Sequence, residues 1–225
     1  MEKSELINNT HRTIVNLCTD DSRYVGGTER LRSSFSTQRN SQCSLTIFKG
    51  VDSCGAPRHQ DNPYAFKLYA MKSAGLDFRS VLWLDSSVVL VRDTTPIWEL
   101  LEEQGVFFED SGHSVGQWCN DRVLSNFGIT REEAHAMPMF SAGFSGVNFQ
   151  HEIGKEFFIR WWESMERGDF KGDWSDHRHD MTCGSIIANQ MGLKNLYTSG
   201  GMFFPYIGSG YSEPKETAVG HLLGV

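Results

Sequence analysis

SVLWLDSSVVLVRD, residues 80–93, sets two apolar, β-branched runs around a central carboxylate, Asp85, with Ser86 and Ser87 beside it. A run such as Val-Leu-Trp-Leu at 81–84 suits a strand of a parallel sheet covered on both faces, where no polar alternation is required. Asp85 then stands where that strand ends. In open α/β sheets the carboxyl ends of the strands border the ligand crevice, so a carboxylate there is placed to hold a cation or a ribose. In extended backbone Asp85 and Ser87 point to the same side, because side chains alternate with period two, and two oxygens can face one ion. The ordinary alternative is that Asp85 caps a turn.

Outward from this passage, short apolar runs alternate with longer amphipathic ones, the pattern of βαβ units. Upstream, Thr13 to Cys18 reads as a strand, Thr28 to Thr37 as a helix following Gly26-Gly27, and Ser44 to Phe48 as a second strand. Asn62 and Pro63 open a helix in which Tyr64, Lys67, Leu68 and Met71 recur at helical spacing, ending near Gly75. Downstream, Pro96 to Glu102 starts a helix and Gly105 to Phe108 is a further strand. Residues 112–126 are rich in Gly, Ser and Asn and read as a binding loop. Thr130 to Ala136 has an N-cap followed by acidic residues and reads as a short helix. Met139 to Phe149 is strand-like with embedded glycines, Glu152 to Met165 an aromatic amphipathic helix, and Met181 to Gln190 another helix. No repeat or linker breaks the chain, so one domain over 1–225 is expected, with a nucleotide-binding half at about 10–110 and a second half at about 111–225.

Composition bounds the function. The chain has 225 residues, 39% hydrophobic and 12% aromatic, enough for a substantial core. With 21 Lys+Arg against 28 Asp+Glu the net charge is −7, which excludes a chain built to wrap nucleic acid but not one holding a small phosphorylated ligand with local groups. The 5 cysteines are scattered and form no CxxC pair, so reduced thiols are expected rather than a disulfide framework or a zinc knuckle. MEKSELINNTHR lacks the apolar core of a signal peptide, and no run approaches the roughly 20 apolar residues of a membrane span. The expectation is a soluble, cytoplasmic protein.

SVLWLDSSVVLVRDTTPIWELL resembles the passage that marks nucleotide-sugar-dependent glycosyltransferases of the GT-A fold: an apolar strand ending in a DxD motif, more apolar residues, then an acidic-Pro turn into a helix. Four other segments share the likeness in order, over about residues 13 to 195. CTDDSRYVGG resembles the nucleotide-binding start of such enzymes, and NPYAFKLYAMKSAG the helix before the motif strand. FSAGFSGVNF resembles the glycine-bearing segment that approaches the donor sugar, and DHRHDMTCGSIIANQMGL the acidic segment opening a late helix near the reacting carbons. The resemblance implies a Rossmann-like α/β fold with a mostly parallel central sheet flanked by helices. It also implies transfer of a sugar from a nucleoside diphosphate sugar, uridine-linked by expectation, to a carbohydrate or other hydroxyl acceptor.

The chain departs from the motif at position 87, where the second carboxylate of the pair is Ser87. The pair binds Mn²⁺ or Mg²⁺, which bridges the diphosphate and neutralises charge on the departing nucleotide. A hydroxyl is a neutral, poorer ligand. By resemblance the metal set is Asp85, Ser87 and His221, with Lys67 as a point charge for phosphate if no ion serves. Thr19, Asp20 and Asp21 are candidates for the base and ribose, with Tyr24 stacking on the base. Ser86 belongs to the motif, and Gly143 and Gly146 either permit close backbone approach to the sugar or are strand bulges. Asp180 is the candidate general base or electrostatic stabiliser, with His179 sharing that work. Asp176 reads as an N-cap. Trp161 and Trp162, with Phe157 and Phe158, read as core, whereas Trp118, Tyr206 and Tyr211 lie in loops where they can stack on sugars. Two rival readings stand beside transfer: a relative that binds nucleotide or glycan without turnover, for which Ser87 speaks, and a metal-dependent hydrolase built on the DHRHD cluster with His177 and His179 as a metal pair.

Overall fold

The structure is a computed structural model that describes residues 11–19, 21–37, 42–90, 94–198, 205–206 and 222–224. The candidate residues Asp20, Tyr211 and His221 lie outside these, and so does the side chain of Tyr206.

The elements run β1 (Arg12–Cys18), α1 (Ser22–Thr37), β2 (Ser44–Lys49), α2 (Ala65–Ala74), β3 (Ser80–Leu84), β4 (Val88–Leu90), α3 (Thr95–Gln104) and β5 (Val106–Ser114). They continue through α4 (Val115–Trp118), α5 (Asp121–Asn126), α6 (Arg131–His135), β6 (Pro138–Asn148), α7 (Glu152–Glu166), α8 (His179–Gln190), β7 (Tyr197–Thr198), β8 (Pro205–Tyr206) and β9 (Leu222–Gly224). A six-stranded sheet has the order β2-β1-β3-β6-β5-β7, and β4, β9 and β8 form a smaller one. β1 pairs in parallel with β2 and β3, and β5 with β7, while β6 runs antiparallel to β3 and β5. β6 reverses direction because the chain returns to the sheet through the short helices α4, α5 and α6 rather than through one crossover helix on the sheet face.

Period-two alternation sorts the strand residues onto two covered faces. Val15, Leu17, Val81, Trp83, Val106, Phe108, Phe140 and Val147 join one core under α2, α7 and α8. Ile14, Leu82, Leu84, Phe107 and Phe144 join the other, under Leu31 of α1 and Ile97, Trp98 and Leu101 of α3. All five residues of β3 are buried, as the unbroken apolar run predicts. Phe157, Phe158 and Trp161 are core, as their spacing predicts, and Trp162 packs at the edge of the same core.

Several boundaries differ from the sequence reading. α1 begins at Ser22, six residues before the expected start, and carries Gly26 and Gly27 inside it. The segment read as a binding loop is instead the end of β5 with α4 and α5. Short helices of this kind show no periodicity and are fixed by their caps. Ser114 and Gln117 form a capping box on α4, and Asn120 accepts a hydrogen bond from the Val123 N–H at the start of α5. Asp176 does not cap α8, whose N-cap is Arg178.

Candidate active site

Asp85 follows β3 on the face of Val81 and Trp83, and α2 packs on that face. That parity brings Asp85 to Lys67. Lys67 is 4% exposed; its ammonium donates to the Ala142 carbonyl at 2.9 Å and lies 3.2 Å from Asp85 Oδ1 and 3.3 Å from Asp180 Oδ2. The same ammonium sits over the rings of Tyr64 (5.3 Å) and Trp83 (5.7 Å). Asp85 Oδ1 also accepts the Trp83 indole N–H at 2.7 Å, so Oδ1 is spoken for while Oδ2 has no partner among the described residues. One cation between two carboxylates leaves the cluster a net negative charge. Burial tends to lower the Lys67 pKa, but Asp180 and Asp85 together outweigh it and hold the ammonium charged well above the ordinary lysine value. Burial, with the Asp85 charge, pushes Asp180 up to about 6 against the pull of Lys67. Lys67 is thus tied into an internal ion triad rather than standing free as a point charge.

The motif itself is not extended. Val88 N–H donates to the Asp85 carbonyl at 3.0 Å, closing a tight turn over Ser86 and Ser87, so the period-two argument for a shared side fails here. Asp85 and Ser87 nevertheless both line one cavity. Ser86 lines it too, but its hydroxyl is tied into a buried network: Asn16 Nδ2 donates to the Leu84 carbonyl at 2.7 Å and to Ser86 Oγ at 3.2 Å, and Thr28 Oγ1 donates to Asn16 Oδ1 at 3.1 Å. Gly27 lets α1 approach this turn; a Cβ there would fall 2.0 Å from the Ser86 carbonyl oxygen.

The cavity has a volume of about 770 Å³ and is walled by Thr19, Tyr24, Lys67, Asp85, Ser87, Gly143 and Asp180 among others. Tyr24 is 48% exposed. Gly143 accepts the Asp85 N–H through its carbonyl, which fixes the motif against β6. Gly146 is instead a packing position, where a Cβ would meet Leu101 at 2.9 Å. Asp21 is half-buried near the start of α1 and is not among the lining residues.

Tyr64 and His179 are the two non-glycine residues with positive φ among the described residues, at 58° and 45°. Their rings stack on each other with centroids 5.0 Å apart. Backbone held in this sparsely populated region concentrates at functional sites, where surrounding contacts enforce it. His179 is 4% exposed, stacks also on Trp174 at 5.6 Å, and binds the Phe170 carbonyl through Nδ1 at 2.7 Å; it stands behind the cavity wall rather than in it. Burial lowers the His179 pKa and raises that of the Tyr64 phenol to about 12, so both rings are neutral near pH 7.

The pair read as metal ligands, His177 and His179, does not form such a set. His177 is fully buried with both ring nitrogens committed, Nε2 to the Asp169 carbonyl at 2.8 Å and Nδ1 to Thr182 Oγ1 at 3.2 Å. Among the described residues no group of three or more His, Cys, Asp or Glu is arranged to hold a metal.

The sequence reading passed over Trp174 and Arg178. Trp174 is 52% exposed and lines the cavity with Trp118. The Arg178 guanidinium lies over both indoles, 3.9 Å from the Trp118 ring centroid and 4.1 Å from that of Trp174. An isolated Trp in a run of turn residues and the Arg between His177 and His179 carry no periodic signal; their meeting depends on the fold of residues 172–178.

No family profile and no curated protein matches the sequence. Solved structures do. The galactosyltransferase LgtC, in complex with donor and acceptor sugar analogues, is 14% identical with a TM-score of 0.47, covering 86% of this chain and 75% of that one. Mouse xyloside xylosyltransferase 1 is 9% identical with a TM-score of 0.49, covering 86% and 87%. The bifunctional glycosyltransferase WbbM is 14% identical with a TM-score of 0.50; the likeness covers 88% of this chain and 40% of that one. At this identity the WbbM likeness shows a common fold, the α/β GT-A arrangement expected from residues 80–93. Among the described residues no helix is long and apolar enough to cross a membrane.

Proposed function

We propose that the chain transfers a glycosyl group from a nucleoside diphosphate sugar, uridine-linked, to a hydroxyl of a carbohydrate or other acceptor. The observation that carries this reading is the Asp85–Lys67–Asp180 triad, set at the carboxyl end of a buried strand in the wall of a cavity large enough for a sugar nucleotide. Thr19 and Tyr24 stand in that wall where a base and ribose can be held, with Asp20 and Asp21 in the adjoining segment. Gly143, without a side chain, leaves room beside Asp85 for the sugar.

The free Oδ2 of Asp85 and the Ser87 hydroxyl fit a hard divalent cation of the Mn²⁺ or Mg²⁺ kind. Such ions are held through one or two carboxylates with substrate phosphates completing the shell, and the net negative triad favours one. His221 is the third ligand the resemblance implies. When bound, the cation neutralises charge on the departing diphosphate. Lys67 orients Asp85, and the Trp83 indole fixes which oxygen is presented. Asp180 lies beside the reacting carbons in this reading, as electrostatic stabiliser of positive charge developing on the sugar or as acceptor of the incoming hydroxyl proton. A carboxyl with a pKa near 6 suits that proton transfer near neutral pH. His179 orients this end of α8 through its stacking and its Phe170 hydrogen bond.

Thermal shift with UDP, GDP and CDP and their sugars, with and without Mn²⁺, followed by nucleotide release from the donor that binds, tests the proposal. UDP-linked donors should raise Tm and be consumed, and Asp85→Asn should abolish both responses. A protein that no nucleotide stabilises, or that binds donor without releasing nucleotide to any acceptor or water, would refute transfer.

A further inference from the structure

Arg178 is a cation the proposed transfer leaves unused. Lys67 and Arg178 are the only lysine or arginine side chains among the described residues lining the cavity. Lys67 is committed to two carboxylates and a carbonyl. No described carboxylate forms an ion pair with Arg178, and its Nη1, cut off from solvent, has no hydrogen-bond partner among the described residues. The guanidinium lies over the indoles of both Trp118 and Trp174, and the Arg178 backbone N–H donates to the Trp118 carbonyl at 3.0 Å. A guanidinium held against aromatic rings hydrogen-bonds through its planar edge, which matches the paired oxygens of a carboxylate or phosphate. With Lys67 already paired, Arg178 is the cation of this cavity wall that no described carboxylate neutralises, and its guanidinium is open to an anion. Tyr64 joins it to the triad, with its ring 5.6 Å from Trp174 and 5.3 Å from the Lys67 ammonium.

We propose that the Trp118–Arg178–Trp174 stack is a subsite for an anionic substituent, a carboxylate or phosphate monoester, on the acceptor sugar. This rests on the transfer reading for the word acceptor, but the anion preference of the site stands apart from it. Arg178, the N-cap of α8, and Asp180 line the same cavity, so an anion held by the guanidinium keeps its sugar in the space that carboxylate faces. The hydroxyls of a neutral sugar can accept from the guanidinium edge, but without the charge assistance and paired oxygens of an anion.

Binding of glucuronic acid, glucose 6-phosphate and glucose, measured by ligand-observed NMR with and without saturating UDP, tests the subsite. The wild type should bind one or both anionic sugars about tenfold or more tighter than glucose, the scale of one charge-assisted bidentate contact. Preference for glucuronic acid assigns a carboxylate, and for glucose 6-phosphate a phosphate. Arg178→Gln should erase the preference while leaving the UDP-induced rise in Tm intact, and Arg178→Lys should retain part of it. Equal binding of all three sugars by the wild type overturns the subsite whether or not a variant folds. Loss of the UDP response in Arg178→Gln also overturns it, because the guanidinium would then serve the donor's diphosphate. A wild type that ignores every nucleoside diphosphate yet prefers anionic sugars would sink the transfer reading and keep the subsite.

Discussion

Lys67 shows how one residue can carry both stability and chemistry. Its ammonium is the only counter-charge that described ion pairs give Asp180, which is 2% exposed. Lys67→Met keeps the stem and removes the charge, leaving two carboxylates facing each other. Breaking a buried pair from one side costs about 3–5 kcal/mol, so urea unfolding should show a loss of that size, with the Asp180 pKa climbing further above its value of about 6. Adding Asp180→Asn in that background should restore part of the loss; an unchanged double variant would mean that the triad is not coupled. Ser87 permits the converse experiment. Ser87→Asp supplies a second carboxylate in the cavity wall, and the Mn²⁺ concentration giving half of the metal-dependent thermal shift should fall by about tenfold or more, the scale of one added charged ligand. Asp85, Lys67 and Asp180 were each legible in the sequence as separate candidates. Their union was not, because it is made by strand parity and by two helices packing on one sheet face. Trp174 and Arg178 left no trace, since their stack with Trp118 of α4 joins segments far apart in the chain and has no spacing to detect.

At the level of elements, α1 and the turn after β3 depend on each other. Gly27 sits where the helix backbone meets the Ser86 carbonyl, and Gly26, one residue earlier, faces only the end of Arg30 at 3.6 Å. The two glycines therefore predict opposite outcomes. Gly27→Ala forces the helix off the motif turn, with a cost of about 1–3 kcal/mol as for overpacking and weaker UDP stabilisation. Gly26→Ala should be neutral or stabilising by about 0.5–1 kcal/mol, because alanine restricts the unfolded chain and suits a helix interior. Urea midpoints of the two variants side by side decide; equal losses would show that the close approach of α1 is not what sets the turn. The same glycine pair explains a sequence misreading. Gly-Gly punctuates most helices, but here it lies within one, because tertiary approach to the turn outweighs propensity. The apolar runs of β1, β3 and β6 and the periodic helices α2, α7 and α8 were legible because burial on one or two faces imposes a period on sequence. α4 and α5 escaped because caps hold them, and the turn at 85–87 stood only as the alternative to extended backbone because apolar residues resume immediately after it.

For the whole molecule, the pH profile of stability is the sum of buried groups that pull in opposite directions. His177 is fully buried and neutral; burial, outweighing its bond to the Asp169 carbonyl, takes its pKa down to about 4. The unfolded chain binds a proton at His177 near pH 6.5 while the native state does not, so this contribution is complete above pH 6.5 and is lost as pH falls toward 4. Burial lowers His59 and His179 too, and their contributions have the same sign. Asp180 runs the other way. With a native pKa of about 6 against an ordinary value of 3.8, the folded state holds the extra proton between those pH values, so stability falls as pH rises from about 4 to 6. A pKa difference of one is worth about 1.4 kcal/mol, which puts His177 and Asp180 each on the order of 3 kcal/mol and nearly cancelling over that range. Asp180→Asn removes one side of the balance. Urea midpoints at pH 4.5, 5.5 and 6.5 should change little in the wild type, beyond the shallow rise from the other histidines, and should rise steeply with pH in the variant. Parallel profiles would show that Asp180 is ionised in the native state throughout, and the carboxyl assigned to proton transfer would lose the raised pKa on which that assignment stands.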